Sequence, residues 1–264
     1  MNAVIYEVSE KVATLTLNRP ESLNAVNPSM IEALLAAVSR AAGDPAVRAV
    51  VLCTSGKHFM AGGDLKWFQG QMELPAETCQ DSFDALIQEV QSLVLAIRCM
   101  DKPVIAAVQG AVAGFGLSLM LAADLALAAE NSYFTLAYSN IALSPDGGAT
   151  WTLPRLVGLK KAMEIALLGE RFDAQSAKGL GLVNRLLPAD QLLAEARSLA
   201  LRLACGPARA LAQTKALINR AYDHSFEDQL RAERCLFVGC ATHPDFAEGL
   251  AGFFEKRKPV FSQS

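Results

Sequence analysis

The stretch KPVIAAVQGAVAGFGLSL, residues 102–119, predicts the fold class of this chain. Its first half is a short apolar run rich in Val and Ile, which indicates a strand buried on both faces. Glycines follow, and the apolar pattern then resumes without β-branched residues, which favours a helix. A buried strand that turns through glycines into a helix is the usual unit of an α/β domain.

The segments before this stretch repeat the alternation of strands and helices. AVIYEV and VATLTL predict a hairpin, because apolar and polar residues alternate in both. NPSMIEALLAAVSRAAG predicts a helix with Asn27 as the N-cap and Pro28 as the first helical residue. VRAVVLCTS predicts a buried strand.

Further helices and strands are predicted on either side of the opening stretch. The pattern indicates a helix from about Asp81 to Met100, and strands at DLALAAE and SYFTLA. The segment Trp67–Ser82 has no periodicity from which its fold can be predicted, although it is expected to shape the pocket.

Beyond about residue 190 the pattern changes to helices alone. DQLLAEARSLALRLA, ARALAQTKALINRAY and FEDQLRAERCLFVGCATH are amphipathic, with Asp, Ser or Pro near their starts. We therefore predict an α/β core over residues 1–190 and a helical region over residues 191–264. No linker rich in Ser, Gly or Pro separates them, so the helices are expected to pack on the core or on a neighbouring subunit.

Composition narrows the possible partners and location. The chain has 264 residues, of which 52% are hydrophobic and 19% charged, enough for a substantial core. A formal charge of −3 and a pI near 5.7 argue against nucleic acid or an anionic membrane as the main partner. The N-terminal segment lacks the features of a signal peptide, and the longest apolar run is too short to cross a bilayer. We expect a cytoplasmic protein whose six cysteines are free thiols.

Two glycine-bearing loops are candidate sites of chemistry. GKHFMAGGDLK, from Gly56, follows one strand, and QGAVAGFGLSL, from Gln109, leads from another strand into a helix. Each loop leaves backbone N–H groups near a helix start. Neither matches the GxGxxG or GxxxxGK[ST] phosphate-binding pattern. Two amides directed at one point would instead form an oxyanion hole for an enolate or a tetrahedral intermediate.

These loops belong to a set of motifs that runs in order through nearly the whole chain. The set consists of LNRPESLNAVN, HFMAGGDLK, KPVIAAVQGAVAGFGLSL, ADLALAAENSYFTLAY, PDGGATWTLPRLVG, AKGLGLVNRLLP and AEGLAGFFEKRKPVF. In these motifs the chain resembles the enoyl-CoA hydratase/isomerase (crotonase) family. The resemblance implies a crotonase-like spiral of ββα units, and a helical C-terminal region that forms trimers or dimers of trimers. It also implies acyl-CoA thioester substrates.

The resemblance also implies roles for particular residues. The oxyanion-hole amides would be those of Gly63 and Phe115, the latter at a position where many members have glycine. The coenzyme A portion would lie along Ala61 and Lys66. Two more residues, Phe253 and Lys256, match positions that contact the nucleotide end of the ligand.

The positions of acidic residues indicate which reaction is catalysed. The two glutamates of the family's hydratases correspond to Ser118 and Tyr138, which are poor bases near neutral pH. Asp146, in SPDGGATW, matches the acid of one branch of enoyl-CoA isomerases and of the ring-1,2-epoxyphenylacetyl-CoA isomerases. The resemblance therefore implies an isomerase with Asp146 as its proton shuttle. Trp151 either lies at or behind the acyl site or caps the core, and Tyr138 is a candidate donor to a polar acyl group.

Other functions remain as alternatives. One is the hydration of an unusual enoyl-CoA with Asp146 acting on water. A 4-chlorobenzoyl-CoA dehalogenase would use Asp146 as nucleophile, but it needs a histidine in the helix between the two loops, where this sequence has none. A noncatalytic member would bind CoA esters or RNA. No cluster of His, Cys and acidic residues has metal-ligand spacing, so neither a metal nor a separate cofactor is expected.

Overall fold

Apolar strands form the sheet on which the chain is built, and the computed structural model describes residues 2–261. Among these residues the strands are β1 (Val4–Ser9), β2 (Val12–Leu17), β3 (Ala49–Thr54), β4 (Val104–Val108), β5 (Ala111–Ala113), β6 (Leu125–Ala129), β7 (Tyr133–Thr135), β8 (Phe172–Asp173) and β9 (Arg185–Leu187). The α-helices are α1 (Pro28–Gly43), α2 (Leu65–Met72), α3 (Ala76–Cys99), α4 (Phe115–Ala122), α5 (Ala149–Val157), α6 (Leu159–Leu168), α7 (Ala174–Gly179), α8 (Leu192–Ala204), α9 (Ala208–Arg220), α10 (Phe226–Ala241) and α11 (Pro244–Phe254).

The strands form two sheets, and the chain passes between them repeatedly. The larger sheet has the order β1-β2-β3-β4-β6-β9, with an antiparallel β1–β2 pair and parallel pairing elsewhere. The smaller sheet has the order β5-β7-β8. β4 and β6 lie in the larger sheet, while β5 and β7, which follow them, lie in the smaller one. Each such pair of strands leads towards a helix, α4 or α5, so the ββα unit repeats.

The central strands are buried on both faces, which explains their continuous apolar sequence. In β3, Val50 and Leu52 face the main core, where α1 and α3 pack. The alternate residues Val51 and Cys53 face a second core that is covered by α8. The two-residue period of a strand therefore assigns each side chain to one of two hydrophobic layers.

Several elements predicted from the sequence are confirmed. The hairpin forms with Val4 opposite Leu17. Helix α1 begins at Pro28, and the Asn27 side chain accepts a hydrogen bond of 3.1 Å from the Met30 amide. This bond satisfies one of the four N–H groups that a helix start leaves unpaired.

The segment without readable periodicity is largely helical. It contains most of α2 and the first turns of α3, which begins at Ala76 and not near Asp81 as predicted. The first turns of α3 are mostly exposed, so no apolar stripe marks them in the sequence. Pro75 supplies the start signal, because its fixed φ suits the residue that precedes a helix.

The C-terminal helices differ in how they contact the core. Helix α8 packs on the larger sheet, whereas α9 and α10 contain no fully buried residue. Helix α9 is held to α3 by polar contacts, in which Arg98 Nη2 donates to Asn219 Oδ1 at 3.0 Å and Lys215 Nζ donates to the Ile97 carbonyl at 3.1 Å. Lys215 also pairs with Asp124 at 2.8 Å.

Two further observations concern the described part of the chain. None of its helices combines the length and apolar character needed to cross a bilayer. Its six cysteines form no disulfide.

A buried asparagine fixes the first glycine loop to the segment before α1. Asn24 is fully buried, and its Nδ2 group donates to Thr54 Oγ1 at 2.8 Å and to the His58 and Phe59 carbonyls at 3.0 Å. Its Oδ1 atom accepts from the Arg19 amide at 2.8 Å. One side chain thus satisfies buried groups on two segments that are more than thirty residues apart.

Replacing Asn24 with alanine is expected to lower the free energy of unfolding by about 1–3 kcal/mol, because buried carbonyls lose their donor. Urea denaturation followed by circular dichroism measures this loss. The matched control is Asn131→Ala at an exposed turn position, where a change within about 0.5 kcal/mol is expected. Equal stability of Asn24→Ala and the control would show that the network does not stabilise the loop.

Candidate active site

The two glycine loops and the SPDGGATW turn meet around one cavity of about 200 Å³. Loop residues form one end of it, and apolar side chains of α3 form another wall. Its lining residues are Val26, Ala61, Gly62, Gly63, Leu65, Phe68, Leu86, Ile87, Val90, Gly114, Phe115, Ala137, Tyr138, Asn140, Ile141, Leu143 and Asp146.

The two loops touch through their backbones, and this contact requires glycine on both sides. Gly62 and Gly114 have φ values of +96° and +52°. A Cβ atom on Gly114 would lie 3.2 Å from Gly62 Cα, and one on Gly62 would lie 3.4 Å from the Ala113 carbonyl oxygen. Side chains would therefore be strained by conformation and crowded by the opposite loop.

The backbone around Gly63 is held by two hydrogen bonds, neither of which uses the Gly63 amide. On either side of Gly63, the Val26 amide donates to the Gly62 carbonyl at 2.7 Å and the Asp64 amide donates to the Val26 carbonyl at 2.8 Å. Within residues 2–261, the amides of Gly63 and Phe115 donate to no protein acceptor. Phe115 is the first residue of α4, where N–H groups lack intrahelical partners. Both amides therefore remain available to an oxygen in the cavity.

Asp64 follows one of these amides, but its side chain is engaged in holding the loop. It caps α2 by accepting from the Lys66 amide at 3.2 Å. It also forms an ion pair with Arg19 at 3.2 Å. Its role in the structure is therefore to fix the loop that carries Gly63.

Asp146 lies beside Tyr138. Tyr138 Oη donates to Asp146 Oδ1 at 2.6 Å. Burial raises the pKa of Asp146, and the hydrogen bond from Tyr138 opposes this rise. Burial, followed by the nearby negative charge of Asp146, raises the pKa of Tyr138, so the phenol stays protonated and donates.

Ser118 adds a buried hydroxyl to this group. Its Oγ atom has no hydrogen-bond partner among the described residues, although it lies near enough to Tyr138 to counteract part of the rise in that phenol's pKa. Tyr138 is therefore hydrogen-bonded to Asp146, and Ser118 packs against the following residue, Gly147. In the described part of the chain, no group of three or more His, Cys, Asp or Glu side chains is placed to hold a metal ion.

The glycines after Asp146 permit close packing against α4. A Cβ atom on Gly147 would lie 2.6 Å from Ser118 Cβ and 2.7 Å from Phe115 Cδ2. Gly148 has a φ of +81° and precedes the first turn of α5. The turn can thus carry Asp146 to the cavity while its next residue rests on the start of α4.

The structure brings together five of the predicted site residues and separates four from them. Asp146, Gly63, Phe115, Ala61 and Tyr138 all line the cavity. The other four, which do not line it, are Lys66, Trp151, Phe253 and Lys256.

The four residues that do not line the cavity lie on α2, on α5, and at or just beyond the end of α11. Lys66 is exposed on the first turn of α2, next to the cavity residue Leu65. Trp151 lies on α5 between Arg98 and Arg155, whose guanidinium carbons are 4.7 and 3.8 Å from its ring centroids. Phe253 is 77% exposed at the end of α11, and Lys256 is exposed just beyond it.

Comparisons with known proteins agree on one family. Residues 7–264 match the family described as enoyl-CoA hydratase/isomerase. The chain belongs to the enoyl-CoA hydratase/isomerase family. It is 40% identical to a "Probable enoyl-CoA hydratase" of Rhodobacter capsulatus, over 99% of this chain and 98% of the relative. It is 35% identical to 1,2-epoxyphenylacetyl-CoA isomerase of Escherichia coli, over 99% of both chains.

A solved structure supports the same assignment. The enoyl-CoA hydratase from Polaromonas sp. JS666 has a TM-score of 0.92 to this chain at 38% identity, covering 98% of this chain and 99% of that one. The α/β fold with a helical C-terminal region is therefore the crotonase-like fold, as predicted. Hydratases and an isomerase both occur among relatives of similar identity, so the family alone does not decide the reaction.

The sequence analysis did not predict the apolar wall of the cavity. Leu86 and Val90 of α3 line it, as do Ile141, the last residue of the turn that begins at Tyr138, and Leu143. The four-residue spacing of Leu86 and Val90 predicts a shared helix face, but the spacing alone cannot show that this face reaches the site.

The Asp146→Asn variant is expected to be more stable than the wild type, by an amount that grows as the pH rises. A raised pKa means that the folded state binds more protons than the unfolded state above the ordinary aspartate pKa, so this carboxyl lowers stability with rising pH. Asparagine does not ionise and can still accept from Tyr138. Thermal unfolding at several pH values should show the variant's advantage at neutral pH and a smaller one near pH ~4. An advantage that grew on acidification would contradict this assignment.

Proposed function

We propose that this chain is an acyl-CoA isomerase that moves a double bond, or rearranges a ring, next to the thioester. The observation that carries the proposal is that Asp146 is the one carboxylate lining the cavity, among the residues that the structure describes. A 1,3-proton shift needs one group that takes a proton and returns it, whereas hydration must also orient and deprotonate water.

In the proposed reaction the two free amides act on the thioester oxygen. The N–H groups of Gly63 and Phe115 donate to this oxygen and stabilise the negative charge that develops on it. Asp146 then takes the proton from C2, and the electron pair spreads over the dienolate. Return of the proton to C4 leaves the double bond between C2 and C3, in conjugation with the thioester.

Tyr138 has a supporting part in this proposal. Its phenol occupies Asp146 Oδ1, so Oδ2 is the oxygen that exchanges the proton with substrate. The raised pKa of Asp146 brings the base closer to neutral pH, where proton transfer in both directions is more efficient. The hydrogen bond limits this rise, so that the carboxylate form remains available.

A hydratase is the second candidate, and one observation favours it. The relative at 40% identity is named as a probable hydratase. In that reaction Asp146 would act on a water molecule, with the hydroxyls of Ser118 and Tyr138 as its neighbours. Dehalogenation has no such support, since α3 contains no histidine. The formal charge of −3 and the pI near 5.7 argue against RNA as a ligand.

The proposal extends to ligand binding and assembly. Ala61 and Lys66 would contact the coenzyme A portion, and Phe253 and Lys256 its nucleotide end. Large side chains on α10 and α11, with Phe226 80%, Phe237 71% and Phe254 75% exposed, support a trimer or a dimer of trimers in which these helices are covered.

Replacing Asp146 with asparagine is expected to lower kcat for conversion of a 3-enoyl-CoA by about 10²–10⁴-fold, because the proton carrier is lost. Liquid chromatography with mass detection follows the conjugated product, whose mass equals that of the substrate. Glu89→Gln, at an exposed position of α3, is the matched control and should retain wild-type activity.

The same assay, given a 2-enoyl-CoA, separates the two candidate reactions. A product heavier by one water, formed faster than the isomerised product, would establish hydration in place of isomerisation. Undiminished isomerisation by Asp146→Asn would remove Asp146 from the mechanism.

Replacing Tyr138 with phenylalanine is expected to move the acid limb of the kcat/KM profile to higher pH. The lost hydrogen bond had lowered the pKa of Asp146, so the base becomes protonated at a higher pH than in the wild type. Tyr133→Phe, which leaves the cavity unchanged, serves as control. An acid limb that stayed in place or moved to lower pH would show that Tyr138 does not tune the base.

A further inference from the structure

A second and larger cavity lies beyond the catalytic one. Its volume is about 520 Å³, and its walls include Val94 and Arg98 of α3, Ser118 and Ala122 of α4, and Trp151 of α5. Residues of α9 close its far side. Among the described residues, no side chain lines both cavities.

The two cavities lie in series along α3. Leu86 and Val90 line the catalytic cavity, and Val94, one further turn along the same face, lines the second. On α4, Phe115 lines the first cavity and Ser118 the second.

The turn before α5 passes the cavities in the same order. Asp146 lines the first cavity, while Gly147 and Gly148 line the second. Three segments therefore run from one cavity to the other, and their junction lies at Phe115 and Gly147.

The Phe115 ring and Gly147 close this junction. A Cβ atom on Gly147 would lie 2.7 Å from Phe115 Cδ2 and 2.8 Å from Cε2, so the ring rests directly on the glycine. Phe115 is 2% exposed and belongs to the main core. Because packed interiors leave little room for a ring to move aside, the contact is a fixed wall.

The wall leaves a small space for the acyl group. The catalytic cavity, at about 200 Å³, is below the range of about 300–1,000 Å³ that is usual for ligand pockets. We infer that the Phe115 side chain sets the acyl-length limit of this enzyme by separating the catalytic cavity from the second one. The inference rests on the proposed function only in placing the acyl group beside Asp146.

The test measures binding of saturated esters, which cannot isomerise. Dissociation constants of butanoyl-, octanoyl- and dodecanoyl-CoA are determined by calorimetry for the wild type and for Phe115→Ala. Each methylene that becomes buried strengthens binding by about fourfold. The wild type should gain no affinity from butanoyl to octanoyl, whereas in Phe115→Ala octanoyl-CoA should bind at least about tenfold more tightly than butanoyl-CoA.

Two further variants separate the effect of the Phe115 ring from the effect of removing any apolar side chain. Phe115→Leu removes the ring but keeps an apolar side chain, and it carries the test if the alanine variant does not fold. Leu34→Ala removes a buried side chain of α1 that lines neither cavity, and it should leave the ratio of octanoyl to butanoyl affinity as in the wild type.

Three results would overturn the inference: a wild-type affinity that rises steadily with chain length, no change of the affinity ratio in either Phe115 variant, or an equal change of that ratio in Leu34→Ala. The proposed function is judged separately by the isomerisation assay. A length limit without isomerisation would reject the function alone, and isomerisation without a length limit would reject the wall alone.

Discussion

The close approach of two backbone loops is the constraint on which the site depends. Gly62 and Gly114 meet in conformations that other residues rarely adopt, each with the opposite loop where a side chain would stand. The loops come from different strands, and among the described residues the amides of Gly63 and Phe115 that they carry have no protein acceptor. Their contact therefore places two hydrogen-bond donors at the same end of one cavity, and the Asn24 network holds one loop in that place.

The acid at this site is governed by a balance between burial and a hydrogen bond. Burial disfavours the charged form of Asp146, and the phenol of Tyr138 favours it. Because burial is the larger influence, the pKa is raised, yet the donated bond keeps one oxygen fixed. A carboxylate that was fully solvated would be a weaker base, and one buried without a donor would have a still higher pKa.

Much of the fold could be predicted from the sequence because its signals are local. The hairpin, the buried strands and the cap of α1 each follow from neighbouring residues, and the ordered motifs gave the family. The start of α3 was missed, since exposed turns carry no apolar period. Which predicted site residues meet was decided by tertiary packing: Asp146 and Tyr138 are eight residues apart, whereas Leu86 and Phe253 give no sequence signal of their distance from the cavity.

The two positions proposed to supply the oxyanion amides differ in how far their side chains are free to vary, and the reason is geometric. Each supplies only a backbone N–H, which every residue except proline has. At Gly63 the end of the Phe68 ring lies where a Cβ atom would stand, so any side chain there requires that ring to move. At Phe115 the side chain points into the packed region between the two cavities, and its size can change while the amide stays. One residue can thus keep the donor that the proposed chemistry needs and still alter the space for the acyl group. Selectivity in this fold can change at position 115 without a change in the acid.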